Sequence, residues 1–542
     1  MKITWEDFIK LLTPKLKSEN FIEQITEYGY FTEQFPSCYS SKVFATKIDE
    51  LLPLAPCTKT QVKHAAKNAT LPTTMSMRKD DVSRRLLSLP NPKAFLRLAK
   101  LMQENWEDIQ TYAESKNSLS PITYIHKYNE TGEKAMLNSE NVRESIRSKS
   151  DFVEGLRNCI QAALGYKYRL KVDIANCYNS IYTHSIAWAI CGKAEAKKYL
   201  RTQEPAELKD RYELADRLDA FIRFQKNNET NGIVVGPFTS RIFSEIVLSA
   251  TDRQLADRKY VFRRYVDDYK FYFRSEVQAK ESVAQIERLL NEYGLHLNTA
   301  KTEIACYPFE IISQIKQSYQ KALENEGVFG VLNAASLLYS SGEKGAYKYA
   351  LKFIKDIEPS QDDFGVIMSS LINILLIEPK YGKYVIVYLK KHIHKWKRDI
   401  VTELINRELS ISIHDELQQE TLVFLHIIKE LKLTLTAENL INILCCSNDF
   451  AIIIALDIWK NRKKTVERTR SQATAIRKAI EQLSIELNGE EYSGARWLLM
   501  YEVKIHGLME SRLMPTPAAD DFFEKLYACR VTFYQSVNRN LY

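Results

Sequence analysis

The chain has 542 residues, of which 45% are hydrophobic and 27% are charged, and it carries a net charge of +8 at pH 7. These are ordinary globular values, with enough apolar side chains for a sizeable core. The positive excess indicates a mild preference for polyanions and is too small for a nucleic-acid coat protein.

The cysteines and the lengths of the apolar runs indicate the cellular compartment in which the protein is expected. Nine cysteines are scattered, odd in number and never spaced Cys-x-x-Cys, which favours free thiols in a reducing compartment and no zinc site. The first residues, MKITWEDFIKLL, contain acids and no long apolar core, which is not typical of a signal peptide. Apolar runs such as Leu371–Ile377 are much shorter than the roughly 20 residues that span a bilayer. We therefore expect a cytoplasmic protein without a membrane partner.

The sequence pattern divides the chain into three segments. Residues 1–70 form a helical lead-in, residues 71–310 alternate strands with helices, and residues 311–542 keep a helical periodicity almost without interruption. The predicted fold class is α+β, with the mixed segment followed by an all-α domain. Repeated short amphipathic helices are typical of a HEAT-like α-solenoid, and an irregular helical bundle is the alternative. These helices are predicted at Val328–Tyr339, Ala346–Lys355, Gly365–Ile377, Tyr384–Lys395, Leu417–Lys429, Ala437–Cys446 and Ala451–Trp459.

The middle segment places carboxylates at the ends of strands. An apolar-alternating strand, Tyr168–Val172, ends on Asp173, which by itself could be an ordinary strand end or helix cap. Further along, Tyr265-Val-Asp-Asp268 stands at the tip of a predicted β-hairpin with aromatic and β-branched arms. The alternative for this tip is a solvated Asp-Asp turn.

Three carboxylates in this order suit a two-metal site. Adjacent acids repel each other, so a fold avoids them unless a cation offsets their charge. Mg²⁺ is the usual cation for carboxylates that also handle phosphates. A two-metal site holds its ions ~3.5–4 Å apart, one at the attacking oxygen and one at the leaving phosphate. We therefore predict Asp173, Asp267 and Asp268 to be the catalytic and metal-binding residues, with two Mg²⁺ ions as cofactor and Mn²⁺ as a substitute.

Five segments resemble the motifs of reverse transcriptases, in the order of that family. The run from Asp173 resembles motif A, and Tyr265–Asp268 resembles motif C. Segments 83–92, 232–246 and 294–303 resemble the first fingers motif, motif B and motif D. The best-matching branch is the abortive-infection (AbiK and P2-type Abi) group of bacterial antiviral defence. The resemblance implies reverse-transcriptase-like fingers and palm for the middle segment and a HEAT-like helical domain after it.

The resemblance also implies roles around the nucleotide. Tyr178 matches the aromatic steric gate that would exclude a 2′-hydroxyl and select deoxynucleotides, and a core contact is the alternative. Gly236 and Ser240 match the motif B turn, where small residues let the backbone approach the nucleotide and template. Val234 and Val235 replace the usual Pro-Gln of the family. This change removes an amide that contacts the incoming nucleotide and favours synthesis without a template.

Three cations match phosphate-binding positions of the family. Lys301 stands where motif D places a lysine that protonates pyrophosphate or neutralises its charge, and a solvated surface lysine is the alternative. Arg84 or Arg85 would clamp the triphosphate with a forked guanidinium. Which of the two arginines points inward is left open by the sequence.

Priming follows from the same resemblance. It implies that the first nucleotide is attached to a protein hydroxyl, so that the partners are dNTPs and a covalently attached single-stranded DNA product. Tyr39, in the stretch Pro-Ser-Cys-Tyr-Ser-Ser, is the candidate priming hydroxyl because this stretch is typical of a mobile loop. A structural tyrosine is the alternative. Homo-oligomers, either trimers or hexamers, are also implied.

Two basic segments are candidates for contact with product DNA. Lys390–Arg398 contains no acid and includes Trp396, which could stack on a base. Arg462–Lys464 begins a second stripe that continues through Arg477 and Lys478. Solvated helix faces are the alternative for both segments.

Three functions remain open at this point. The first is a Mg²⁺-dependent DNA polymerase, template-independent and protein-primed, that acts in phage defence. The second is a template-copying reverse transcriptase of retron or intron type. The third is a catalytically silent polymerase fold that serves as a scaffold, although a scaffold has no physical reason to keep three clustered acids.

Overall fold

The computed structural model describes residues 18–58, 62, 65–80, 82–120, 122, 152–309, 315–360, 362–461, 466–467 and 469–536. The strands are β1 Thr73–Arg78, β2 Arg84–Leu89, β3 Tyr168–Asp173, β4 Phe262–Tyr265, β5 Asp268–Phe273, β6 Glu303–Cys306, β7 Leu435–Thr436 and β8 Val466–Glu467. The first α-helices are α1 Phe21–Gly29, α2 Lys42–Ala45, α3 Ile48–Leu51, α4 Ala65–Asn68, α5 Pro92–Glu104, α6 Trp106–Ala113, α7 Phe152–Ala162, α8 Cys177–Ser180, α9 Ser185–Cys191, α10 Lys193–Thr202, α11 Lys209–Arg223, α12 Phe238–Asp257 and α13 Glu276–Asn291. The later ones are α14 Ile315–Ser340, α15 Ala346–Ile354, α16 Phe364–Ile377, α17 Gly382–His392, α18 Arg398–His414, α19 Gln418–Leu431, α20 Ala437–Leu444, α21 Asp449–Asn461, α22 Arg470–Leu487, α23 Trp497–His506 and α24 Asp521–Ala528.

Four antiparallel strands form the central sheet, in the order β4-β5-β3-β6. Alternation along β3 turns Leu170 and Val172 into the core, and Phe271 of β5 is buried with them. In the register between β3 and β5, Asp173 lies directly opposite Asp268. The predicted strand and the predicted hairpin are therefore confirmed.

Helix α12 lies in the core beside this sheet. Every residue from Phe238 to Asp252 is buried, and the helix packs against α6, α9 and α13. Helix α13 in turn contacts β3, β5 and β6. Because α12 has almost no solvent-facing side, its polar side chains must find partners inside the protein.

The hairpin of β4 and β5 is joined to α12 by a buried ion network around Arg264. The Nε and Nη2 groups of Arg264 donate to Asp252 at 3.0 and 2.7 Å. Its Nη1 and Nη2 groups donate to the two carboxylate oxygens of Glu245 at 2.8 and 2.9 Å. Nη1 also donates to the carbonyl oxygen of Val266, at 2.9 Å. One guanidinium therefore connects the helix to the tip of the hairpin.

The tip of this hairpin is a strained turn. Tyr265 and Asp268 form the last pair between the strands, so Val266 and Asp267 make the turn. Val266 has a φ of +58°, which a β-branched residue rarely adopts. Such strain costs about 1–3 kcal/mol and persists only where the surroundings enforce it. Here Arg264 binds the Val266 carbonyl, and the Ser120 hydroxyl accepts from its N–H at 3.3 Å.

The C-terminal segment contains the predicted helices, with ends displaced by a few residues. The long helix α14 is interrupted at Glu326 and Gly327, which have non-helical backbone angles. The prediction of an all-α segment is wrong in one detail, because β7 and β8 form a short parallel pair. A HEAT-like arrangement of the helices stays a prediction. Within the described ranges, no helix is both long enough and apolar enough to cross a membrane.

The lead-in segment is attached to the last described part of the chain. The backbone N–H of Ser40 donates to Phe533 at 2.9 Å, and that of Gln535 donates to Cys38 at 2.7 Å. These residues are distant in sequence, so the pairing is a tertiary contact that local patterns do not reveal.

Replacing Arg264 with methionine is expected to destabilise the protein strongly. The variant leaves Asp252 without its buried cation and Glu245 with Arg241 as its remaining partner. Removal of one partner from a buried ion pair typically lowers the free energy of unfolding by about 3–5 kcal/mol. Denaturant unfolding followed by circular dichroism measures this loss. The control Arg274→Met changes an exposed arginine just after the same hairpin, and equal stability of both variants would contradict this role of Arg264.

Candidate active site

The three predicted acids meet at one end of the central sheet. Asp173 ends β3, Asp267 lies in the hairpin turn, and Asp268 begins β5. Each offers a carboxylate oxygen, and these oxygens all lie within 4.8 Å of one another. The N–H of Ile174 donates to the carbonyl oxygen of Asp267 at 3.3 Å, which joins the end of β3 to the turn. The structure thus brings together the residues that the sequence singles out.

This cluster concentrates negative charge in a half-buried place. Burial raises the pKa of Asp267, and the carboxylates of Asp173 and Asp268 raise it further. Burial also raises the pKa of Asp268, which Lys171 partly offsets. Carboxylate oxygens are the hard ligands that Mg²⁺ and Mn²⁺ prefer. The three side chains therefore fit divalent cations, whose charge would remove the repulsion between them.

Two residues of the motif D segment hold Asp173. The side-chain amide of Asn298 donates to Oδ2 of Asp173 at 3.0 Å, and the backbone N–H of Asn298 donates to its carbonyl oxygen at 2.8 Å. The half-exposed ammonium of Lys301 lies 3.1 Å from the same Oδ2 atom. Lys301 is thus in the site as the resemblance implies, and its action on pyrophosphate stays a prediction. The sequence did not single out Asn298, because its position within the motif D segment is the one sequence signal that could have indicated its contact with Asp173.

Tyr178 lies in α8, directly after the loop that follows Asp173. Its ring is half-buried against the core. Burial raises the pKa of its hydroxyl, while Arg241 and a hydrogen bond with Ser244 lower it. The charge on Asp267 is also close enough to raise this pKa. The side chain of Tyr178 therefore lies near Arg241 and Ser244 of α12 and near Asp267, and its role as a steric gate stays a prediction.

The motif B residues are placed differently from expectation. Gly236 has a φ of +145°, and a Cβ atom there would lie 2.7 Å from the carbonyl oxygen of Ser88 in β2. The backbone that closely approaches Gly236 is thus that of the fingers strand, and Val235 accepts from the Ser88 N–H at 2.7 Å. Ser240 is buried within α12, with 2% of its surface exposed. The role of Ser240 in the motif B turn toward the nucleotide therefore stays a prediction.

The two fingers arginines have different surroundings. Arg84 makes a forked ion pair with Glu420, at 3.0 and 2.7 Å, so its guanidinium is engaged by the helical segment. Arg85 is exposed, and its charge lowers the pKa of Asp267. The pair with Glu420 and the charge effect on Asp267 therefore favour Arg85 as the arginine closer to the acids, and a phosphate contact of either arginine stays a prediction.

Two aromatic side chains do not have the predicted surroundings. Tyr39 is fully buried, and its hydroxyl donates to the carbonyl oxygen of Phe450 at 2.5 Å. The prediction of a mobile priming loop at Tyr39 is therefore wrong. Trp396 is 7% exposed and packs against Phe364 and Tyr388. It is a core residue and is not available to stack on a base.

The cations near Trp396 are also engaged. Lys390 pairs with Glu430, and Lys391 pairs with Asp356 at 2.7 Å. Of the second stripe, Arg462–Lys464 lies outside the described residues. The first basic segment thus gives no support for a contact with DNA, and a contact of the second one stays a prediction.

Parts of this chain are similar to a known protein family and to several solved structures. A family model described as reverse transcriptase (RNA-dependent DNA polymerase) matches residues 78–334. No curated protein matches the chain. Among solved structures, apo telomerase from Candida tropicalis truncated from its C-terminal domain is 14% identical over 48% of this chain and 55% of that chain, with a TM-score of 0.29. Telomerase from Candida albicans with a TWJ fragment of telomeric RNA is 15% identical over 71% and 72%, with a TM-score of 0.27.

A further telomerase structure, the apo form from Candida tropicalis, is 12% identical over 76% of this chain and 75% of that chain, with a TM-score of 0.31. TM-scores of this size do not establish a common overall fold. The family match, in contrast, contains Asp173, Asp267 and Asp268 together with the motif segments that surround them. Residues 78–334 therefore match the reverse transcriptase family, whose members are nucleotidyltransferases of the RNA-directed DNA polymerase type.

Proposed function

We propose that this protein is a Mg²⁺-dependent DNA polymerase that extends DNA without a template, starts on a protein hydroxyl and acts in abortive-infection defence against phage. The observation that carries the polymerase assignment is the convergence of Asp173, Asp267 and Asp268 within 4.8 Å. A fold gains nothing from three adjacent acids unless cations use them. This convergence argues against the catalytically silent scaffold.

The chemistry follows from the positions of the side chains. Asp173, Asp267 and Asp268 would hold two Mg²⁺ ions, which when bound activate the attacking hydroxyl and stabilise the leaving pyrophosphate. Arg85 approaches from the fingers strand β2 and would bind the triphosphate oxygens with its guanidinium. Lys301 pairs with Asp173 in the free protein and would turn to the pyrophosphate as charge develops there.

Synthesis without a template is supported by the motif B residues. Val234 is buried, and the carbonyl oxygen of Val235 accepts a hydrogen bond from the backbone N–H of Ser88. Neither side chain offers the amide that other members of the family direct to the incoming nucleotide. Template copying of retron or intron type is the second candidate, because the matched family is described as RNA-dependent.

The priming group, the product and the assembly belong to the same proposal. The product would be single-stranded DNA attached covalently to the protein, made from dNTPs, in a homo-oligomer of three or six copies. Burial of Tyr39 removes that hydroxyl from the candidates. A priming hydroxyl must therefore lie elsewhere, within reach of the three acids.

Labelling with radioactive dNTPs tests the proposal. Purified protein with Mg²⁺ and neither template nor primer is expected to retain label that only protease releases on a denaturing gel. The double variant Asp267→Ala/Asp268→Ala should retain none, since two of its three metal ligands are lost. Asp257→Ala, at the exposed end of α12, is the matched control and should label like wild type.

The other outcomes of this labelling experiment separate the alternatives. Label that requires a primed RNA template would favour the template-copying enzyme. Label in the double variant equal to that in wild type would refute the site, and no label under any condition would favour the scaffold.

The proposed role of Tyr178 as a steric gate gives a second, independent prediction. Tyr178→Ala is expected to raise incorporation of ribonucleotides relative to deoxynucleotides by about tenfold or more, because one lost steric contact of ~1.4 kcal/mol has that effect. Competition between labelled NTPs and dNTPs measures the ratio. Tyr182→Ala, four residues later, is the matched control. An unchanged sugar preference in Tyr178→Ala would remove this residue from the site.

A further inference from the structure

The free edge of the fingers strand β1 is covered by the helical segment. The side-chain oxygen of Gln418 accepts from the backbone N–H of Ser76 at 2.6 Å, and that of Gln419 accepts from Arg78 at 3.2 Å. Both glutamines lie at the start of α19. They satisfy edge donors of β1 that point away from β2.

The third residue of α19 binds the other strand. Arg84 of β2 donates to both carboxylate oxygens of Glu420, at 3.0 and 2.7 Å, and its Nε donates to the Ser76 hydroxyl at 2.8 Å. The Glu420 side chain has 2% of its surface exposed. A carboxylate this buried depends on its cationic partner. The first turn of α19 thus contacts both strands of the fingers hairpin.

Arg85, the neighbour of Arg84 in β2, is exposed, and its charge is close enough to Asp267 to lower the pKa of that carboxyl. Successive side chains of a strand point to opposite faces. Because Arg84 points to α19, Arg85 points away from it, and its charge acts on Asp267. A rotation or a slip of β2 would therefore displace Arg85 relative to the acids.

The palm holds the same hairpin from the other side. The ammonium of Lys79, in the loop between β1 and β2, donates to the side-chain oxygen of Asn176 at 3.0 Å. The N–H of Ser88 donates to the carbonyl oxygen of Val235 at 2.7 Å. The hairpin is thus fixed between the palm and α19, and the forked pair of Arg84 and Glu420 is the charged contact on the α19 side.

We propose that Glu420 is a positioning residue for nucleotide binding, which holds Arg85 toward the three acids by fixing Arg84 on the opposite face of β2. The helical segment then sets the affinity for dNTP although Glu420 touches no nucleotide. This inference rests on the proposed function, because it takes the dNTP triphosphate as the ligand of Arg85.

Steady-state kinetics of Glu420→Gln tests the inference. The KM for dNTP is expected to rise about tenfold with a smaller change in kcat, as for the loss of one charge-assisted phosphate contact. Arg84→Lys keeps the charge without the fork and should shift KM in the same direction. The control Lys93→Met breaks another ion pair to the C-terminal segment, that with Asp520 at 3.0 Å, and should leave KM unchanged.

A double variant separates positioning from general destabilisation. If Glu420 acts through Arg85, then Glu420→Gln should raise KM little further in an Arg85→Ala background. If the two substitutions multiply each other's effect on the KM, the inference is overturned. It is also overturned if Glu420→Gln keeps the wild-type KM. A loss of kcat and of folded protein without a change in KM would overturn it as well, because that is the result expected of a merely structural residue.

A measurement of dNTP affinity under conditions without synthesis tests this inference separately from the proposed function. Each dNTP is titrated in turn with Ca²⁺ in place of Mg²⁺ and the Kd is measured. A Kd raised about tenfold by Glu420→Gln supports positioning, even if wild-type protein incorporates no nucleotide and the proposed function fails. An unchanged Kd overturns the inference while leaving the proposed function intact.

Discussion

The buried guanidinium of Arg264 is the contact on which the arrangement of the acids depends. It binds Glu245 and Asp252 of α12 and, with the same group, the carbonyl oxygen of Val266 at the hairpin tip. Hydrogen bonds to fixed charges in a buried place are strong and directional. The tip therefore cannot relax out of its strained turn without breaking this network, and Asp267 stays directed toward the end of β3.

The same constraint gives the site its chemical character. Antiparallel pairing places Asp173 opposite Asp268, and the turn adds Asp267, so the fold itself forces three like charges together. Lys301 offsets part of that charge through Asp173, to which Asn298 also donates a hydrogen bond. The helical segment contacts the fingers hairpin through Arg84 and Glu420, and under our proposal this contact links nucleotide binding to residues far away in the chain.

Local patterns were sufficient for the strand, the hairpin and the acids, because strand alternation and a two-residue turn fix where those side chains lie. They failed where a partner is distant in sequence. Tyr39 is buried by Phe450, and Arg84 is held by Glu420, and neither neighbour can be read from composition or periodicity. The prediction for Trp396 was wrong because the sequence shows the same pattern of cations around an aromatic residue whether its ring is exposed or buried in the core.

Thermal unfolding of wild type and Asp267→Asn, each with EDTA or with Mg²⁺, tests most directly whether the acids are held together for a metal. Burial and its neighbours raise the pKa of Asp267 in the folded protein, so its ionisation at neutral pH lowers the stability of the metal-free form. The metal-free variant should therefore be more stable than wild type by about 0.5–2 kcal/mol, and Mg²⁺ should stabilise wild type much more than the variant. Equal midpoints in EDTA together with no response of wild type to Mg²⁺ would contradict a metal site at these three carboxylates.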